Sequence, residues 1–285
     1  MTPEFTMQLN KQQEWSWLLA IDLFLGGLGG GLFLFYEVFE LPVSIGLLSL
    51  GLVAAGGLVL LAELGHPLRA WRAICKPFSS WISRGVIFVM LFLISGSLYV
   101  APALDLFSWL PWAPDVFGGK ALGIIAGACA FLVTLYPGFV LAASPSIPFW
   151  NNPLLPVLFF SHSITGAAGI LLLLSPFGFL DQKLEGINSL VALLIVVNFF
   201  LIAVYLLVVK TSGLAAAESV RHLNEGSLSW TFKVGVILVG TVFPLLVVVW
   251  MPSAVVLAGA FVLIGGLLFR YCVLKSGVYV PFALT

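Results

Sequence analysis

The sequence predicts an all-α integral membrane protein, with eight transmembrane helices arranged as two four-helix bundles in a single domain over residues 1–285. Three observations carry this. Hydrophobic residues make up 61% of the sequence and charged residues 8%, with mean hydropathy +1.15. An ordinary soluble domain carries about 25% charged residues. The apolar runs are continuous and helical in length, matching the roughly 20 residues a helix needs to cross a bilayer core. Outer-membrane barrels instead alternate apolar and polar positions in short segments. Finally, Pro42, Pro67, Pro77, Pro111, Pro114, Pro145, Pro148 and Pro153 punctuate the runs where helices stop. Trp15, Trp17, Trp71, Trp81, Trp109, Trp112 and Trp150 lie at or near the run ends, as in an aromatic belt.

The first span covers residues 15–36. The segment before it (MTPEFTMQLNKQQE) lacks a basic region, and the run is too long for a signal-peptide core, so this helix is expected to stay. It holds Asp22, a carboxylate whose insertion costs roughly 2.5–3.5 kcal/mol, which makes it a functional-site candidate by default. Its glycines do not form a nucleotide loop, because no strand precedes them. Gly26/Gly30 and Gly27/Gly31 are small-xxx-small pairs that let helices approach closely. The second span (43–64) has further glycines (Gly46, Gly51, Gly56, Gly57) and ends on Glu63. The third covers 84–104. The fourth (118–143) ends with Tyr136 in TLYPG, and the fifth (154–176) carries His162 about two turns in. The sixth (187–209) has Asn198 and Tyr205 as its main polar residues. The last two, 232–252 and 254–274, are joined by a short turn at Met251-Pro252-Ser253. Loops 65–83 and 210–231 are the longest.

With eight spans, both termini and loops 2–3, 4–5 and 6–7 share one side. That side holds Lys11, Arg69, Arg72, Lys76, Arg84, Lys210, Arg221, Lys233, Arg270 and Lys275, against Lys120 and Lys183 on the other. The positive-inside rule then puts the termini in the cytoplasm of a bacterial or archaeal inner membrane. A competing reading is that Arg69, Arg72, Lys76 and Arg84 dock an acidic partner subunit. A net charge of zero supports no nucleic-acid partner.

Antiparallel threading places Asp22, Glu63, Tyr136 and His162 in one leaflet, with His66 and Arg69 just outside it. Such a cluster suits quinone chemistry, which needs an apolar slot, a partner for each ring oxygen, and a group that moves the accompanying protons. Asp22 and Glu63 are candidate proton carriers. Asp22, Tyr136, His162 and His66 are candidate quinone contacts. Plainer roles stand beside these. Glu63 could pair with Arg69 or Arg84, Tyr136 could be a belt tyrosine, and His162 could pack between helices. The three cysteines (Cys75, Cys129, Cys272) form no CxxC, so no metal site is expected. No haem is expected either: a bis-histidine haem needs two facing imidazoles, and His66 and His222 lie in loops. Electrons would pass to a partner that carries the metal centres.

The sequence resembles the NrfD/PsrC family, the membrane subunits of polysulfide-reductase-like and related molybdenum or tungsten oxidoreductases. The residues that carry the resemblance are EWSWLLAIDLFLGGLGGG in the first helix, AELGHPLRAWRA followed by SSWISRG, TLYPGFVLAASPSIPFWNNPLLP, and the C-terminal FRYCVLKSGVYVP. It implies an eight-helix, haem-free subunit that binds menaquinone or ubiquinone. It also implies a ferredoxin-like iron–sulfur partner and a catalytic partner with a molybdopterin or tungstopterin cofactor. By the resemblance, Asp22 stands where a relative has a quinone-site histidine, and Leu19 replaces an asparagine of that site. Glu63 and Tyr136 match positions taken to serve the quinone or the proton route. Many members place the pocket and the partners on the periplasmic side, opposite to the charge rule here.

The sequence therefore leads to a quinone-reactive membrane subunit of a respiratory multisubunit oxidoreductase. One alternative is a proton-coupled secondary transporter using Asp22, although no inverted repeat is evident. Another is a purely structural anchor.

Overall fold

The computed structural model describes residues 9–63, 74–112, 116–178 and 184–280. Eight of its helices are long and apolar enough to cross a membrane. They are α1 (Trp17–Val38), α2 (Val43–Glu63), α3 (Trp81–Val100), α4 (Phe117–Ala142), α5 (Leu154–Leu174), α6 (Leu184–Lys210), a seventh that begins as a π-helix (Thr231–Val242) and continues as α8 (Phe243–Trp250), and α9 (Val255–Lys275). The predicted spans match these to within a few residues. The structure adds α7 (Leu214–Asn224), an eleven-residue helix inside the 210–231 loop. Its buried face is Ala215, Ala216, Ser219, Val220, His222 and Leu223, while Glu218 and Arg221 form an ion pair on its outer face.

Two four-helix rings result. In the first, α1 packs on α2 and α4, and α3 closes the ring between them. In the second, α5 packs on α6 and α9, and the π-helix with α8 closes it. α1 and α5 join the rings, with α4 against α5 and α9 against α1. Burial follows from this position: the α5 and α1 spans are 72% and 61% buried, against 22% for α3 at the rim.

A helix that touches four neighbours must thin its side chains wherever they approach closely, which is why α1 is so rich in glycine. A Cβ on Gly29 would lie 2.5 Å from Ser49 O of α2, and one on Gly30 would lie 2.8 Å from Ala130 O of α4. On Gly31 it would lie 2.9 Å from Ser163 O of α5. Gly27 and Gly31 share the α5 face, as their spacing predicts. Gly26, one turn before Gly30, meets no neighbour: a Cβ there would have nothing within 4 Å.

The two ends of the protein are tied together on one side of the bundles. Gln12 N–H donates to Gly277 O at 2.8 Å, Tyr279 N–H to Asn10 O at 2.9 Å, and Val280 N–H to Ser146 O at 3.0 Å. Trp150, expected in the interfacial belt, is instead 3% exposed. It stacks on Trp15 and donates its indole N–H to Val273 O at 2.8 Å. Arg270, which the charge count places among the loop cations, is fully buried between the bundles.

Candidate functional site

Asp22 lies between α1 and α2, about one and a half turns into α1, and is buried. Gly56 of α2 makes the room: a Cβ there would lie 3.2 Å from the Asp22 carboxylate Oδ1 and 3.1 Å from its backbone oxygen. Among the described residues the carboxylate has neither a hydrogen bond nor an ion pair. In an apolar setting that is a costly state for a charge unless a proton or a bound group compensates it. Glu63 follows Gly56 by two helical turns and so projects on the same face of α2. Its Oε1 accepts from the Ser16 hydroxyl at 3.0 Å, which ties the end of α2 to the start of α1. Asp22 is close enough to interact electrostatically with both Glu63 and Tyr136.

Tyr136 is positioned by α3. A Cβ on Gly85 would overlap the Tyr136 ring, so only glycine lets α3 lie against it. One turn outward on the same seam, Trp81 of α3 stacks on Phe139 of α4, with centroids 4.5 Å apart and planes 9° from parallel. A groove of about 350 Å³ opens here, lined by Trp81, Phe139, Ala142, Ala143, Asn151, Asn152, Pro153 and Pro156. Its size falls within the roughly 300–1,000 Å³ of small-molecule sites, and flat aromatic walls with two amide side chains are the features such a site uses. One end of the first bundle thus combines two carboxylates, a tyrosine and an aromatic groove.

His162 is not part of that group. It shares the expected depth, but it faces the second bundle, stacked on Phe269 of α9 at 3.9 Å and 7°. Glu63 does not pair with Arg84. The Arg84 guanidinium donates to Pro77 O at 2.8 Å and Phe78 O at 2.9 Å and covers the Trp81 ring, bracing the entry to α3. Of the other proposed docking cations, Lys76 is exposed. Arg69, Arg72 and the candidate quinone contact His66 lie outside the described residues. Among the described residues, no group of three or more His, Cys, Asp or Glu side chains could hold a metal ion.

Sequence reasoning missed Glu37. The predicted first span ends at residue 36, yet α1 runs to Val38, so this half-buried carboxylate belongs to its last turn. Gly127 and Gly123 of α4 accommodate it: a Cβ on Gly127 would overlap the carboxylate, and one on Gly123 would lie 3.1 Å from its Oε1. Tyr99 lies beside it, also close to Gly123. The run YEVFE carried the signal, since a helix that spans with some tilt extends beyond the minimum length.

Comparison with known proteins agrees with this architecture. Residues 6–282 match the family described as "Polysulphide reductase, NrfD". The sequence is 28% identical to "Protein NrfD" of Escherichia coli (strain K12), over 92% of its own length and 94% of that protein. It is also 28% identical to the polysulfide reductase C subunit of Wolinella succinogenes, over 94% of its own length and 93% of that subunit. A third relative, "Protein NrfD homolog" of Haemophilus influenzae, is 24% identical over 92% and 94%.

Proposed function

The protein belongs to the NrfD polysulphide reductase family, and on that premise we propose that it is the quinone-reactive membrane subunit of a respiratory oxidoreductase complex. The observation that carries this is the uncompensated Asp22 carboxylate in the first bundle, beside Glu63 and Tyr136, with the aromatic groove one turn outward from Tyr136 on the α3–α4 seam. The substrate is menaquinol or ubiquinol, or the quinone in the reverse direction. Oxidising a quinol releases two electrons and two protons. Asp22 is positioned to take a proton in the membrane interior, and Glu63, nearer the surface, to pass it outward. Tyr136 offers a phenolic hydroxyl to a ring oxygen, and Trp81 and Phe139 offer a flat apolar wall to the ring.

The redox centres belong to partners under this reading. The name of the Wolinella relative marks it as one subunit of a reductase. Electrons would reach a ferredoxin-like iron–sulfur subunit docked on the side of loops 2–3 and 4–5, and through it a molybdopterin-type or tungstopterin-type catalytic subunit.

The test is Asp22→Asn in the purified complex. The amide keeps the shape and loses the proton site. Quinol turnover is expected to fall by at least 10²-fold, the lower end of what a positioned acid–base group contributes (about 10²–10⁴-fold), with the partners still copurifying. Unchanged turnover would remove Asp22 from the mechanism.

A further inference from the structure

The second bundle encloses a cavity of about 10 Å³, whose lining includes His162, Thr165, Asn198, Gly240 and Thr241. Two buried polar atoms on its wall have no partner: His162 Nε2 and Asn198 Oδ1. Their residues are 9% and 3% exposed. We propose that this cavity is a binding site for a single ordered water molecule, held by His162, Asn198 and Thr241.

The donor and acceptor inventory fixes the arrangement. The Thr165 hydroxyl donates to Ser161 O at 2.7 Å, so toward Asn198 it acts as acceptor, at 2.7 Å from Nδ2. The amide nitrogen of Asn198 therefore faces Thr165, and its oxygen is left facing the cavity. Thr241 donates to Val236 O at 3.1 Å and keeps acceptor capacity. The water donates one hydrogen to Asn198 Oδ1 and the other to Thr241 Oγ1. It accepts from His162 Nε2–H, which assigns that tautomer to the ring. Three bonds are what a buried water ordinarily makes, and a cavity of about 10–15 Å³ is the room it needs.

The ligand is a neutral molecule rather than a cation. Arg270 is close enough to interact electrostatically with His162, so a cation in the cavity would meet a like charge. The wall that completes the site is the π-helix. Its wider winding gives the Thr241-to-Val236 bond its five-residue step, and Gly240 lies against Gly265 so closely that a Cβ on Gly265 would overlap Gly240 Cα. Long π segments are rare and often sit at functional positions. Here the bound water adds the π-helix to the direct Asn198–Thr165 link between α6 and α5. The site lies in the other bundle from Asp22 and stands independently of the quinone reading.

X-ray hydroxyl-radical footprinting of the purified complex tests it, because radicals form at ordered waters and label the adjacent side chain even where bulk solvent does not reach. His162 is expected to be oxidised in the wild type. In Asn198→Leu, which removes the acceptor and fills the space, its labelling is expected to fall at least fivefold. A wild-type His162 that stays unlabelled, at doses that label exposed residues of the same complex, overturns the proposal without any variant. Undiminished labelling in a folded Asn198→Leu complex also overturns it, as does anomalous density at the site after bromide exchange, which would identify a halide.

Discussion

Arg270 has no access to solvent and no carboxylate partner among the described residues. Its guanidinium donates from Nε to Leu23 O at 3.1 Å, from Nη1 to Gly266 O at 3.1 Å and from Nη2 to the Ser163 hydroxyl at 2.8 Å. Phe24 and Phe159 supply ring faces. What the site uses is the planar fork, since a bare charge gains nothing from being desolvated. Lysine keeps the charge and loses the fork, so Arg270→Lys is expected to destabilise by about 2–4 kcal/mol. Arg270→Met removes the charge at similar volume and is expected to cost less than the lysine variant, because an apolar replacement escapes the desolvation penalty. Unfolding midpoints of the two variants in one detergent check the order. The residue also shows where sequence reading ends. Depth in the membrane can be counted along a helix, so Asp22 is legible as a buried acid and His162 as lying in the same leaflet. Azimuth cannot be counted without knowing the neighbours. That is why His162 faces the other bundle against expectation, and why counting charges alone groups Arg270 with the loop cations. Its inward turn depends on Gly27, where a Cβ would lie 2.6 Å from Nη2.

At the scale of elements, the spans were legible because length and hydrophobicity define them, whereas the contact faces of α1 were only partly so. Its glycines are equivalent in the sequence and unequal in the structure. Gly31→Ala drives a methyl onto the α5 backbone and is expected to cost about 1–3 kcal/mol. Gly26→Ala meets nothing and is expected to change stability by less than about 0.5 kcal/mol. Expression and thermal midpoints of the pair separate packing from a general dislike of side chains. The π-helix was not legible, because an all-apolar run has no polar face whose phase would reveal the winding. Helix α7 was missed because it is too short to register as a span. It brings a pH dependence of its own. Burial, and then the Lys11 ammonium 3.5 Å away, hold the His222 imidazole below its ordinary range, while Glu218 opposes them. A lowered folded-state value means that protonation works against the folded contact. The contribution of His222 is therefore complete above about pH 6.5 and is lost as the pH falls through the lowered value. Protection factors over residues 214–224, which remove the intrinsic slowing of amide exchange in acid, are expected to fall as the pH drops below about 6.5, and His222→Gln is expected to remove most of that change.

At the scale of the molecule, the open question is which face of the membrane carries the candidate site. The structure gathers both ends of the protein and the 4–5 loop on one side through the bonds of Gln12, Tyr279 and Val280, as an even number of spans requires. The groove and Glu63 lie at that same end, so placing the tails also places the proposed route for protons and electrons. Not every cation on that side weighs equally in the charge rule. Arg270 is buried and Arg84 is bound to its own loop, but Lys11, Lys76, Lys210, Arg221 and Lys233 remain exposed there, against exposed Lys120 opposite. Cationic loops resist translocation whether or not they later meet a partner, so the residual bias still favours the cytoplasm. Lys76→Cys, probed against a background in which the native cysteines are replaced, reads this directly. A membrane-impermeant maleimide is expected to leave it unlabelled in intact spheroplasts and to label it once the membrane is opened. Labelling in intact spheroplasts would instead put the groove, the carboxylates and the proposed partner subunits on the outer face. The exposed lysines would then be explained by docking an acidic partner, and under the proposed function the protons released at Glu63 would leave on the same side as the electrons, so the step would move no net charge across the membrane.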